Sequence, residues 1–234
     1  MEAMSDWRSF WDSAHSIYVN ARHKDVHYRE IADAIAAFAR EAGTRVLDYG
    51  CGEAIHADRV AAVASQVLLC DAAPSVRAAI GTHFAGEPRI RVLSPEEVEK
   101  LPDGSLDLIV SNSVTQYLTQ AELERVLGLW HRLLKGGGTL IVADVIPPDA
   151  GALTDATALI RYAAANGFLV AALGGLVRTA LSPYSRLRSQ IGITRYTQSA
   201  FMEKLKSTGF TPERLPHNLE HNAARMTFRG IRGQ

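Results

Sequence analysis

A chain of 234 residues, 47% of them apolar, is long enough to bury one α/β core with a small appended element. Acidic and basic residues balance at 25 each, which gives no electrostatic footprint for nucleic acid and leaves room for a small basic patch at most. Two cysteines, Cys51 and Cys70, and a polar, aromatic start without an apolar signal core point to a reducing cytoplasm and argue against a disulfide framework.

The first periodic segment places Ile31, Ala34, Ile35, Phe38 and Ala42 on one helical face, with Gly43 as its stop. Residues 45–49 (RVLDY) are a short apolar run entering glycines, which reads as a buried strand, and 54–64 reads as a helix. Residues 67–70 (VLLC) form a second strand ending at Asp71. Pro74 opens a helix that continues over 75–84, and 89–93 (RIRVL) is a third strand. Ser94, Pro95, Glu96 and Glu97 read as a helix start: a serine N-cap, proline in the first turn, and acids at the positive end of the dipole. The fourth strand is 106–110 (LDLIV). Thr119 and Glu122 form a capping box for a helix whose apolar face runs from Leu123 to Leu134, with Gly136 to Gly138 expected to end it.

Residues 139–145 (TLIVADV) are the fifth strand, stopped by Pro147 and Pro148. Within the mostly helical stretch 150–190, residues 162–177 carry no charge, but their length falls short of the about 20 residues of a membrane span. They are therefore expected to form a pair of buried or lid helices, and no transmembrane segment is expected. A last amphipathic helix covers 197–207. Strands at 210–215 and 225–229 follow, joined by only about eight residues, too short for a crossover, so they should pair antiparallel. Alternating strands and helices predict an α/β fold with a largely parallel sheet. The expected organisation is a single domain over 1–234, with an N-terminal helical cap (1–43) and a helical lid insertion (150–190) before the last helix.

The chemistry centres on Asp48-Tyr49-Gly50-Cys51-Gly52-Glu53-Ala54, a strand running into a Gly-x-Gly turn and then a helix. Gly50 and Gly52 lack a Cβ, so the backbone there turns tightly and lets a ligand approach. Asp71, nineteen residues after Gly52, closes the second strand. There a nucleotide-binding α/β fold puts the carboxylate that accepts from ribose hydroxyls. At these residues the chain resembles the class I (Rossmann-like) S-adenosylmethionine-dependent methyltransferases, whose first motif is D/E-x-G-x-G-x-G; Ala54 stands at its last glycine. A nicotinamide dehydrogenase would want G-x-G-x-x-G, and Ile55 occupies that third position. The resemblance extends through 101–118, 133–145 and 196–210.

The resemblance implies a seven-stranded sheet in the order 3-2-1-4-5-7-6 with strand seven antiparallel, and S-adenosylmethionine as cofactor. It further implies Asp48 near the methionine end, Gly50, Cys51 and Gly52 passing beneath through backbone contacts, Asp71 on the ribose and Ala72 beside the adenine. Ser94, Pro95 and Glu96 would flank the adenine ring, and Ser111 and Asn112 would face the methionine portion. The acid usual after strand three is not obvious here.

Tyr18, His23, His27 and Tyr28 enrich the N-terminal segment in polar aromatics. They are candidates to touch the cofactor or acceptor, Tyr28 being counted among the cofactor-binding residues, beside a reading as ordinary capping residues. His23 and His27, four apart, fit one helical face as metal ligands, and His221 is a distant third. No nearby cysteine or acid pattern completes a site, so no metal is expected. Gln116, Tyr117, Asp144, His221 and Asn222 are acceptor-pocket candidates, with His221 and Tyr117 the catalytic candidates. His221 would serve as a general base near neutrality, beside a reading as a loop histidine. The expected reaction is methyl transfer to a partly hydrophobic small-molecule acceptor. Phe168, Leu169, Leu173 and Leu176 would form a lid over it, and Arg178, Arg186, Arg188 and Arg195 would meet an anionic group. The rivals are a methyltransferase acting on a macromolecule or lipid-linked glycan, and a non-catalytic cofactor-binding partner subunit.

Overall fold

Strands β1 (Arg45–Tyr49), β2 (Gln66–Cys70), β3 (Ile90–Leu93), β4 (Leu106–Asn112), β5 (Leu134–Val145), β6 (Phe210–Arg214) and β7 (Met226–Arg232) form one sheet in the order β3-β2-β1-β4-β5-β7-β6. β7 pairs antiparallel with both β5 and β6, and the other pairs are parallel. The computed structural model describes residue 12 and residues 18–41, 43–180 and 193–234, the last four of 43–180 by backbone only. The strand order and the antiparallel seventh strand are those the sequence implied.

Side chains alternate across the strands, so the sheet is covered on both faces. Leu47, Leu68, Ile109 and Leu140 pack on one face with Trp130, Leu127 and Phe201, which come from α5 (Gln120–Leu133) and α8 (Gln198–Ser207). Val46, Val67, Leu108 and Ile141 pack on the other, with Ile31 and Ile35 of α1 (Ala21–Phe38) and Val60 of α2 (Ala57–Ala61). The remaining described α-helices are α3 (Pro74–His83), α4 (Pro95–Glu99), α6 (Ala152–Asn166) and α7 (Leu169–Ala180), with a short 3-10 turn at Thr115–Tyr117. The expected capping box of Thr119 and Glu122 opens α5, and the expected Ser94 N-cap opens α4, where Glu97 completes a second capping box.

Three expectations change in detail. α1 is capped by the Asn20 side chain and ends at Phe38, ahead of Gly43. α2 keeps only five residues of the expected 54–64, because the chain stays in turns past Ala54, which itself has φ +43°. The glycines at 136–138 do not end α5. β5 starts at Leu134 directly after the helix and carries them through a shift in its pairing with β4 between Leu106 and Leu108. A Cβ on Gly138 would stand 2.9 Å from the Lys135 carbonyl, so that fold-back demands glycine.

The inserted helices α6 and α7 pack on α1 through Val26, Tyr162, Ala163, Phe168 and Ala172. Gly167 turns left-handed (φ +75°) between them. Gly175 of α7 lets Val19 come so close that a Cβ would meet its Cγ1 at 2.3 Å. Among the described residues, no helix is long and apolar enough to cross a membrane.

Candidate active site

A cavity of about 850 Å³ lies over the carboxyl ends of β1, β2, β4 and β5, within the size range of small-molecule sites. Its floor is the β1–α2 loop. The Gly50 and Cys51 amides both donate to the Cys70 carbonyl (2.7 and 3.0 Å), which draws the loop against the end of β2. Gly50 and Gly52 have φ of +80° and +56°. A Cβ on Gly50 would fall 2.2 Å from Val114 Cγ2, and one on Gly52 would fall 2.6 Å from the Tyr28 hydroxyl.

α1 clamps this loop from above. The Tyr28 hydroxyl accepts from the Glu53 amide at 2.9 Å, Lys24 pairs with Glu53, and Asp25 meets His56 at 2.8 Å. Asp71 accepts from the Gly52 amide (3.0 Å) and the Ala73 amide (2.9 Å). Each carboxylate oxygen thereby keeps a lone pair for a ligand. Burial pushes the Asp71 carboxyl upward, against those amides and Arg77.

Asp48 is buried and makes no hydrogen bond to a described residue; burial and the charge of Asp71 push its carboxyl up to about 7. The Asn112 Oδ1 and Gln116 Oε1 atoms are also buried without a partner, and both residues line the same cavity. Three acceptor groups left unpaired around one space call for a ligand that brings donors. S-adenosylmethionine fits that demand, because its ammonium, ribose hydroxyls and adenine amino group are all donors.

Every described non-glycine residue with positive φ borders this region: Ala54 (+43°) after the glycine turn, Ser113 (+58°) after β4, and Asp144 (+62°) near the end of β5. Such strain persists only where surrounding contacts over-determine it. Here Ser113 Oγ lies 2.7 Å from Asp144 and 2.8 Å from Glu220, and Arg225 bridges Asp144 and Asp155. Burial and Glu220 push Asp144 up, while Arg225 and Ser113 pull it down.

Of the residues singled out from the sequence, Asp48, Gly50, Cys51, Gly52, Asp71, Ala72, Pro95, Glu96, Asn112, Tyr28, Gln116, Tyr117 and Asp144 line the cavity. Ser94 and Ser111 do not. The Ser94 hydroxyl caps α4, and Ser111 is fully buried with its hydroxyl on the Tyr49 carbonyl at 3.0 Å. Tyr18 and His27 line the cavity, whereas His23 turns away and stacks on Phe168 (4.9 Å, 17°). The Cys51 thiol is buried and pushed up, which makes it a poor nucleophile.

His221 and Asn222 lie at a second cavity of about 680 Å³, bounded by α6. The His221 ring stacks on Tyr162 at 4.5 Å and 15°. Burial pushes this imidazole down, so it stays neutral around neutrality. Glu220, which the sequence reading passed over, lines both cavities and accepts from Asn112 Nδ2 and Ser113 Oγ, each at 2.8 Å. Its carboxyl works against burial and titrates below the ordinary range, held there by His27, Asn112, Ser113 and His221.

The expected lid needs correction. No described residue of the insertion lines the main cavity. Phe168 is buried against His23, while Leu169 and Leu173 are exposed, because the apolar side of these helices is spent on α1. Arg195 binds the Pro148 carbonyl (2.9 Å) at the surface. The Arg178 side chain, Arg186 and Arg188 lie outside the described residues.

A glycine turn and an acid closing the next strand, both at the carboxyl edge of a doubly covered sheet, define a nucleotide-type cofactor domain. Residues 47–142 match the family model described as a methyltransferase domain. The chain is similar to a probable S-adenosylmethionine-dependent methyltransferase of Mycobacterium tuberculosis, 36% identical over 42% of this chain and 34% of that protein. It is also similar to an uncharacterized methyltransferase of Mycobacterium bovis, 32% identical over 53% of this chain and 61% of that protein. In both cases the chain spans less than two-thirds of the relative. Its fold matches that of magnesium protoporphyrin IX methyltransferase from Synechocystis PCC 6803 with a TM-score of 0.58, at 16% identity over 97% of this chain and 93% of that one. Over residues 47–142 the chain thus matches a methyltransferase domain, and its sheet order is the one that the resemblance to the class I S-adenosylmethionine-dependent methyltransferases implied.

Proposed function

We propose that the chain transfers a methyl group from S-adenosylmethionine to a partly hydrophobic small-molecule acceptor bound in the same cavity. One observation carries this reading: a single space of about 850 Å³ is lined both by the glycine turn with Asp71 and by a largely buried polar group, Asn112, Gln116, His27, Glu220 and Arg225. Leu118, Val126 and Leu129 supply apolar wall.

Asp48 and Asn112 receive the methionine end, with Ser111 holding the strand beneath them. The Gly50–Gly52 backbone passes under the cofactor, and Tyr28 fixes that loop. Asp71 takes the ribose hydroxyls. Ala72, Pro95 and Glu96 border the adenine, and the Ser94 cap sets the position of the last two. Tyr117 and Gln116 orient the acceptor. The bound cofactor supplies an activated sulfonium methyl. The chain's residues then contribute alignment and exclusion of water, which account for much of the rate in such a displacement. The methyl would pass to an acceptor lone pair, with the S–CH₃ electron pair staying on sulfur to give S-adenosylhomocysteine. His221 borders only the second cavity, behind Glu220, and would reach the acceptor only through that carboxylate.

In this reading the chain is one domain, with α1 capping the cofactor loop and α6 bordering the second cavity. The free, buried Cys51 and Cys70 support a reducing, cytoplasmic setting.

Calorimetric titration of S-adenosylmethionine and S-adenosylhomocysteine into the wild type and Asp71→Ala tests the reading. Wild-type binding is expected, weakened in the variant by about 2 kcal/mol, the scale of a lost charge-assisted hydrogen bond. Absence of binding by the folded wild type overturns it. Turnover on a macromolecule alone, with none on small acceptors, would move the substrate class.

A further inference from the structure

We infer that His27, Glu220 and His221 form a binding site for a divalent cation of the zinc class, at the point where the two cavities meet. One ligand atom from each residue lies within 4.8 Å of the others. They come from two distant elements, α1 and the β6–β7 loop, so the fold and not a local run assembles them.

The Glu220 carboxylate is already oriented for this. Asn112 Nδ2 and Ser113 Oγ both donate to Oε1 at 2.8 Å. Oε2 faces His27 Nδ1 at 4.0 Å. That gap is too long for a hydrogen bond and suits an ion between the two after a small inward shift, since zinc ligands stand about 2.0–2.2 Å from the metal. His221 Nδ1 is buried with no hydrogen-bond partner. An imidazole acceptor desolvated without a donor is a cost that a cation would remove.

The surroundings hold the ligands as metal sites require. The His221 ring is fixed by stacking on Tyr162, and His27 packs edge-on to Tyr28 at 5.3 Å. Charge also favours a cation. The Arg225 guanidinium is already matched by Asp144 and Asp155, which leaves the Glu220 charge for the ion. Two imidazoles and one carboxylate leave coordination positions open, the pattern of reactive and not structural zinc sites. His27 borders the cofactor cavity, His221 the second cavity, and Glu220 both. The site itself stands apart from the methyl-transfer reading. Its use rests on that reading: the open positions would take an ionisable oxygen or sulfur of the acceptor.

The test is titration of chelator-treated protein with Co²⁺, followed by its visible d–d absorption, with Zn²⁺ competition by calorimetry. The expected result is one equivalent bound with low-coordinate cobalt bands, displaced by Zn²⁺. Affinity should fall by about 100-fold or more in His27→Ala, His221→Ala and Glu220→Gln, at or beyond the upper end of effects seen for outer-shell changes. The exposed His217→Ala should bind as the wild type does. Glu220→Gln keeps the side-chain shape, so it separates loss of a ligand from loss of fold. S-adenosylhomocysteine binding is measured on the same samples, so failure of the cofactor reading and failure of the metal site are seen separately. A folded wild type that takes up no Co²⁺, or uptake that survives all three substitutions, overturns the site.

Discussion

The Tyr28 hydroxyl occupies the space that a side chain on Gly52 would need: a Cβ there would lie 2.6 Å from that oxygen. The same hydroxyl accepts the Glu53 amide at 2.9 Å. One contact between the N-terminal helix and the glycine turn thus sets both the identity of residue 52 and the height of the loop under the cofactor.

Two substitutions separate these effects. Gly52→Ala forces a Cβ into a left-handed backbone, worth about 1–2 kcal/mol, and displaces Tyr28 as well. Cofactor affinity should fall by at least about tenfold, the equivalent of 1.4 kcal/mol. Tyr28→Phe keeps the ring but leaves the Glu53 amide unpaired, so affinity should fall only about fivefold, near the net value of one hydrogen bond. Calorimetry on both variants checks the ranking; a Tyr28→Phe protein that binds as the wild type does would remove the hydroxyl from the loop's support.

Ala54 stands where the family motif ends in glycine, yet it keeps the glycine-like φ of +43°. Ala54→Gly should relieve part of the roughly 1–2 kcal/mol strain of a left-handed L-residue, offset by up to about 1 kcal/mol of unfolded-chain entropy. The expected outcome is an unchanged or slightly raised melting temperature with cofactor binding retained. A loss beyond about 1 kcal/mol would mean that the methyl packing of Ala54 matters more than its backbone.

Much of this fold was legible because its signals are local. Apolar runs at 45–49, 67–70 and 106–110 are strands covered on both faces, and the Ser94 and Thr119 caps are written in four residues each. The glycine turn and Asp71 were legible for the same reason. What was not legible depends on distant chain. Gly136 to Gly138 look like a helix stop, and only their pairing with β4 shows them inside β5. Glu220 looks like a loop acid, and only the antiparallel return of β7 carries it to Asn112 and Ser113. The signal available was its place beside His221, the acid that the His23 and His27 pattern lacked. The apolar insertion looked like a lid because sequence shows that a face is apolar, not which neighbour covers it.

Ser94 is a case where two roles can be told apart. Its hydroxyl accepts from the Glu97 amide at 3.3 Å and it stands outside the cavity lining. Ser94→Ala should cost about 1 kcal/mol of stability, the usual value of an N-cap. Cofactor affinity should stay within about twofold, since only Pro95 and Glu96 reach the cavity. A thermal melt and a titration on the same sample give both numbers. A large affinity loss without destabilisation would put the serine itself on the adenine.

Asp48 gives the pH dependence. Its carboxyl is raised from 3.8 to about 7 by burial and by Asp71. The folded state therefore holds this proton more tightly than the unfolded chain does. The stabilisation is fully present below the unfolded value near 4 and is lost as pH rises through about 7. Asp48→Asn removes the ionisation, so the ligand-free variant should gain on the wild type between pH 5 and pH 8, by up to ~2.5 kcal/mol, the rest of the shift being spent below pH 5. S-adenosylhomocysteine should reverse the order. Its ammonium supplies the charge that makes the ionised Asp48 favourable, so the wild type should be stabilised more than Asp48→Asn at pH 8. Denaturant melts at the two pH values, with and without ligand, check both parts. Parallel pH profiles for the two ligand-free proteins would show that Asp48 is already ionised at pH 5, and equal stabilisation of both proteins by the ligand at pH 8 would relieve it of its part in the cofactor end of the cavity.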